Sequence, residues 1–73
     1  MVLQRGDTGN AVRLFQQTLN IQGAGDGLTE DGIYGDLTKQ AVEQYQRAAN
    51  IPQTGKIDGV TAALLSRFDD PTR

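Results

Sequence analysis

Nine glycines cut this 73-residue chain into three stretches that can be helical, and they lie at Gly6 and Gly9, at Gly23, Gly25, Gly27, Gly32 and Gly35, and at Gly55 and Gly59. Glycine inside a helix costs about 1 kcal/mol relative to alanine, so clusters of it mark turns. The stretches between the clusters carry apolar residues at helical rather than alternating spacing. In residues 8–21, Val12, Phe15 and Leu19 form one stripe, widened by Ala11 and Leu14, with Arg13 and Gln17 toward solvent. In residues 36–50, Leu37, Ala41, Val42 and Tyr45 share a face that Ala48 and Ala49 continue. In residues 59–68, Leu64, Leu65 and Phe68 form the buried side.

The flanking residues fit these limits. Asp7 and Asp58 are placed to accept amide protons at the starts of the first and third helices. Asp36 suits the positive end of the second. Asn50 ends the second helix, and Pro52 forbids its continuation. The stretches 28–34 and 53–57 hold turns and are too short to build a sheet. The chain therefore reads as one domain over residues 1–68 with a polar tail over 69–73, in an all-α fold: a small three-helix bundle.

A chain of this size buries only about 60% of its unfolded surface, and small domains often rely on disulfides or metals. With no cysteine and no histidine, this one has no disulfide, thiolate or imidazole ligand. Stability must come from packing, caps and turns. The same absences exclude a Ser/His/Asp triad, a Cys/His pair and a His-containing zinc site. Glu30 and Asp31 are adjacent on a loop, whereas glycoside hydrolysis needs two carboxyls across a cleft. No catalytic residue, metal site or cofactor is expected. Seven basic residues scattered through a chain of net charge −2 do not form the clustered basic face that nucleic acid requires. No apolar run approaches the ~20 residues of a membrane span, and the start of the chain does not read as a signal peptide.

The two loop-to-helix junctions align at a shift of 23 residues. Gly32 falls on Gly55, Tyr34 on Ile57, Gly35 on Asp58, Thr38 on Thr61, Ala41 on Leu64 and Val42 on Leu65. Each unit reads as a glycine turn, an inward apolar residue, a cap position, then threonine and an apolar pair on a helix. Two copies of one loop–helix unit packed against the first helix are expected.

Gly6-Asp7-Thr8-Gly9 with Val12-Arg13-Leu14-Phe15-Gln16, then Asp31-Gly32-Ile33-Tyr34-Gly35 with Thr38, Ala41-Val42 and Tyr45-Gln46, and finally Gly55, Thr61 and Leu65, together resemble the peptidoglycan-binding domain 1 family. The resemblance spans residues 3–65. It implies a compact three-helix domain that binds bacterial cell-wall peptidoglycan without catalysing a reaction. Members of the family are usually joined to wall-degrading or wall-remodelling enzymes. The chain departs from the family pattern in four places: Thr54 stands where an aspartate is common, Ala62 where a tryptophan is usual, Tyr45 where phenylalanine is commoner, and Phe15-Gln16 where the first helix usually has Leu-Gln.

Six residues are candidates for ligand contact, and each has a structural alternative. Asp31 could orient a ligand amide or hydroxyl, or tie its own loop by accepting backbone N–H groups. Tyr34 could present its ring to a sugar or stem peptide, or pack beneath the loop. Gly35 could admit a ligand closely, or serve the backbone at the helix start. Gln16 and Gln46 could pair donor and acceptor groups with a ligand, or bond loop backbone. Thr38 could touch ligand or bond back to its own helix. The expected site is a shallow groove between the first two helices, lined from Tyr34, Gly35, Thr38 and Gln16.

The expected function is thus a non-catalytic module that targets a linked cell-wall hydrolase or remodelling enzyme to peptidoglycan, bound through its glycan or its stem peptide. The module would act as a monomer tethered to a catalytic domain, in the bacterial cell wall or periplasm, as part of a larger secreted or phage-encoded protein. The alternative on the same fold is a protein-interaction or structural module, such as a pro-domain or an assembly spacer.

Overall fold

The computed structural model describes residues 2–23 and 27–66. They form three helices, α1 (Asn10–Ile21), α2 (Asp36–Ala48) and α3 (Gly59–Ser66). Helix α1 packs against both α2 and α3. The core between them contains Val12 and Leu19 of α1, Ala41, Val42 and Tyr45 of α2, and Leu65 of α3. Leu28, Tyr34 and Ile57 come into it from the loops. Phe15, Ala49, Ala62 and Leu64 pack around it, half-buried. The expected position of Phe68 and the polar tail lie outside the described residues.

The segment before α1 works as a strap. Leu3 exchanges both backbone hydrogen bonds with Ile57, at 3.0 and 2.8 Å. Further along, Gly6 N–H donates to the Tyr34 carbonyl (2.9 Å), Tyr34 N–H to Asp7 (2.9 Å) and Gly9 N–H to Gly32 (2.9 Å). One extended stretch therefore pairs antiparallel with both loops as isolated bridges, Leu3 with Ile57 and Thr8 with Ile33. No strand longer than a bridge forms among the described residues.

Four expectations are corrected, for Asp7, Leu37, Leu14 and Ala48. Helix α1 begins at Asn10, with Gly9 at its N-cap and no side-chain cap. Asp7 instead closes the preceding turn, where its carboxylate accepts from Gln4 N–H at 3.0 Å. Leu37 is 68% exposed. The buried face of α2 is centred on Thr38, Val42 and Tyr45, and at 100° per residue Leu37 falls roughly 100° away from that centre. Leu14 is half-exposed, and Ala48 also faces solvent.

The remaining ends match their sequence signals. Asp58 Oδ1 accepts the Thr61 amide at 3.0 Å, three residues into α3, as a capping aspartate does. After α2, Asn50 takes a left-handed conformation (φ 61°). Its N–H donates to the Arg47 carbonyl (3.1 Å), and Ile51 N–H donates to the Gln46 carbonyl (3.0 Å). This paired closure satisfies carbonyls that the helix end would leave open.

The aligned glycines Gly32 and Gly55 both have positive φ, 76° and 72°. A Cβ on Gly32 would sit 2.9 Å from the backbone oxygen of Gly9, whereas one on Gly55 would meet the side chain of Lys39 at 3.0 Å. A lysine stem can move; the strap backbone cannot without breaking its pairing. Gly55→Ala is expected to cost about 1–2 kcal/mol from the left-handed conformation alone. Gly32→Ala is expected to cost clearly more, and urea unfolding of the two variants side by side checks the order.

Candidate functional site

Two glutamines organise both loops in the same way. Gln16 on α1 is buried, and its Nε2 lies within reach of three acceptors: Asp31 Oδ1 (3.2 Å), the Ile33 carbonyl (2.9 Å) and Thr38 Oγ1 (3.0 Å). Its Oε1 accepts the Gly32 amide at 2.8 Å. Gln46 on α2 repeats the arrangement with Thr54 Oγ1 (3.0 Å), the Lys56 carbonyl (2.9 Å) and Thr61 Oγ1 (3.0 Å), and its Oε1 accepts the Gly55 amide (3.0 Å). The four partners of Gln46 are those of Gln16 shifted by 23 residues. Thr54 takes the place of Asp31 in full: each accepts both the glutamine amide and the backbone N–H two residues on, Ile33 at 2.9 Å and Lys56 at 3.2 Å. The departure from the family aspartate keeps the bond and loses only the charge.

A third amide clamp holds the start of the first loop. Asn20 Nδ2 donates to the Leu28 carbonyl (2.6 Å) and to Glu30 Oε2 (2.9 Å), while its Oδ1 accepts Leu28 N–H (2.9 Å).

Four of the six candidates are therefore interior. Gln16, Tyr34, Thr38 and Gln46 are each at most 2% exposed. The Tyr34 hydroxyl donates to the Gly55 carbonyl at 2.7 Å, tying the first loop to the second. Asp31 is exposed, Gly35 is partly exposed, and both remain available to a ligand. Gly35 has φ −104°, which any residue adopts, and a Cβ there would meet nothing within 4 Å. The backbone does not require glycine at this position.

A surface concavity of about 230 Å³ lies between the first loop and the start of α2, bordered on α1 by Gln16. The apolar residues Leu28, Ile33 and Leu37 line it, together with Asp31 and Asp36, Thr29 and Gly35, and the cradle residues Gln16 and Thr38. Tyr34 is not among the lining residues, because its ring is in the core. Sequence periodicity missed Leu37 as a groove residue by assigning it to the core. Ile33 carried a usable signal, since it stands where the second unit has Lys56.

The site is acidic. The Ile33 amide, and next the Gln16 amide, hold the Asp31 carboxyl below its ordinary range. Its charge is therefore present at neutral pH. Asp36 is paired with Arg5, Nε to Oδ1 at 2.9 Å, on the exposed surface. Among the described residues no group of three potential metal ligands forms.

The fold is a small three-helix module with a shallow groove beside its first loop. Its sequence matches the family model "Putative peptidoglycan binding domain" over residues 8–65, and the chain belongs to that family. Solved structures agree. The SleB N-terminal domain superposes with TM-score 0.88 at 28% identity, covering 96% of this chain and 94% of that one. A peptidoglycan-binding protein from Clostridioides difficile, solved with glutamine hydroxamate, gives 0.89 at 29% identity, covering 99% of this chain and 44% of that one. The endolysin of Burkholderia phage AP3 gives 0.86 at 33% identity, covering 97% of this chain and 27% of that one. In the last two, the module spans less than half of the larger chain. The comparison with curated proteins returned no match.

Two predictions follow from the buried polar groups. Gln46→Ala leaves the buried Gly55 N–H without its partner and removes the amide that joins Thr54, the Lys56 carbonyl and Thr61, and is expected to cost about 2–3 kcal/mol in urea unfolding, since one such orphan costs about 1–3 kcal/mol. Burial, followed by the charges of Glu43 and Asp7, raises the Tyr34 hydroxyl above its usual value. The unfolded chain then releases this proton near pH 10 while the folded chain keeps it. The stability from burying the neutral phenol is complete below pH 10 and is lost as pH rises beyond it. Denaturation midpoints between pH 8 and 11 should fall less steeply in Tyr34→Phe than in the parent.

Proposed function

We propose that this chain is a non-catalytic peptidoglycan-binding module that uses the groove between the first loop and the start of α2, and that it targets a linked cell-wall hydrolase or remodelling enzyme to its polymer. The observation that carries the reading is the groove itself, formed in a member of a peptidoglycan-binding family at Asp31, Gly35 and the exposed Ile33 and Leu37. The buried cradle beneath it holds these residues in place. The working place is the bacterial cell wall. The likeness to a phage endolysin supports the link to a lytic enzyme.

A groove this shallow supports weak binding, in the micromolar-to-millimolar range or about −4 to −8 kcal/mol. Weak binding suffices, because attachment to a polymer raises the local concentration of anything tethered to the module.

The test is co-sedimentation with purified sacculi. The chain is expected to pellet saturably. Gly35→Val, which adds a side chain at the groove where the backbone tolerates one, is expected to fold normally and to bind at least several-fold more weakly. A folded variant that pellets like the parent would remove the groove from the binding surface. Failure of the parent to pellet would favour the protein-interaction reading of the same fold.

A further inference from the structure

The second loop–helix unit is an internal control for the first. Both are built on the same glutamine cradle, so any residue the cradle needs should recur in both. Several groove residues do not. Ile33 contributes only its backbone to the cradle, through the amide bound by Asp31 and the carbonyl bound by Gln16. Its counterpart Lys56 contributes the same two groups from an exposed lysine. Ile33 is nevertheless isoleucine, with 56% of its surface in water. Asp31 has an uncharged counterpart, Thr54, that makes the same bonds. Asp36 stands against Gly59, and Gly35 against the capping Asp58. The apolar and anionic character of the first unit's surface is thus not required by its fold.

The chemistry of that surface is specific. Ile33 and Leu37 offer exposed aliphatic area. Asp31 Oδ1 is engaged by Gln16 and Ile33, while its Oδ2 takes no hydrogen bond among the described residues. The second carboxylate, Asp36, lies at the same groove with its charge paired to Arg5, so Asp31 is the carboxylate left for a cation. Aromatic rings, the usual platform for a sugar face, are missing from the lining. Of the polar side chains in the lining, Gln16 and Thr38 are already engaged within the cradle, which leaves the exposed Thr29 hydroxyl and the carboxylates. Aliphatic surface flanked by carboxylates complements an aliphatic chain that ends in an ammonium group.

Resting on the peptidoglycan-binding reading, we infer that the groove takes the stem peptide and not the glycan, packing the aliphatic side chain of the stem's diamino acid on Ile33 and Leu37 and pairing its free ammonium with Asp31. Cross-linking converts that ammonium into an amide. The module therefore distinguishes uncross-linked from cross-linked stems, and is directed to wall whose stems retain the free amine.

The experiment records backbone amide shifts of the chain while adding the tetrapeptide L-Ala–γ-D-Glu–L-Lys–D-Ala, its Nε-acetylated form, or chitotetraose, with sacculi sedimentation run in parallel. The free amine is expected to shift Ile33, Gly35 and Leu37. Acetylation should weaken binding roughly fivefold, the scale of one exposed ion pair. Asp31→Asn, which keeps an oxygen for Gln16 and Ile33, should remove the difference between the two peptides. Leu37→Ser should weaken both, and Val60→Ser, at the matching place in the second unit, neither. Equal binding of amine and acetyl forms, shifts by chitotetraose instead, or no peptide shift at the groove would overturn the inference while sedimentation upholds wall binding. Loss of sedimentation overturns both.

Discussion

A primary amide buried at a helix surface can donate twice and accept through its carbonyl, which matches the needs of a tight loop whose backbone must turn inward. Gln16 and Gln46 each place such an amide inside a loop that would otherwise bury unpaired groups. The bonded glycine N–H, the carbonyl two residues past the turn's first residue and the threonine hydroxyl at the helix start all converge on one side chain. In a chain without cysteine, and so without a disulfide, this convergence fixes the angle at which each loop enters its helix. The strap then closes over both loops by backbone bonds. The links are serial: α1 holds the loop before α2, and α2 holds the loop before α3. Tyr34 fastens the two loops together through Gly55.

This arrangement explains which parts of the molecule were legible in the sequence. The three helices followed from glycine spacing and apolar periodicity, because those patterns act locally. The 23-residue repeat was visible through Gly32/Gly55 and Thr38/Thr61. The cradle itself was hidden, because its two glutamines are 30 residues apart and do not align at that shift. The repeating loops are near-identical in register, but the helices that serve them are not. Residue type also left Gln16, Gln46 and Thr38 open between ligand contact and structure, and burial places all three inside.

The misread residues share a cause. Asp7 has the chemistry of an N-cap, but the strap pairing with the first loop carries the chain on to Asn10 before α1 begins, and the carboxylate closes its own turn. Leu37 falls four residues before Ala41, which suggests one stripe, yet Ala41 sits at the edge of the buried face and Leu37 beyond it. Both errors arise where tertiary pairing decides what local pattern leaves ambiguous. At Leu37 the error is informative, because an apolar residue that the core does not take is left at the groove.

Duplication also separates scaffold from function within a single chain. What both units retain is the cradle, the glycine turn and the threonine at the helix start, and these are the requirements of folding. The units differ in the side chains that project from the same backbone positions: Ile33 against Lys56, Asp31 against Thr54, Gly35 against Asp58. At position 58 the side chain is used to cap α3, and at position 35 the corresponding place is left bare although the backbone would accept a side chain. One unit thus invests that position in closing its helix, while the other leaves room beside a carboxylate and two exposed aliphatic side chains. The fold tolerates either choice, so folding alone does not set the difference.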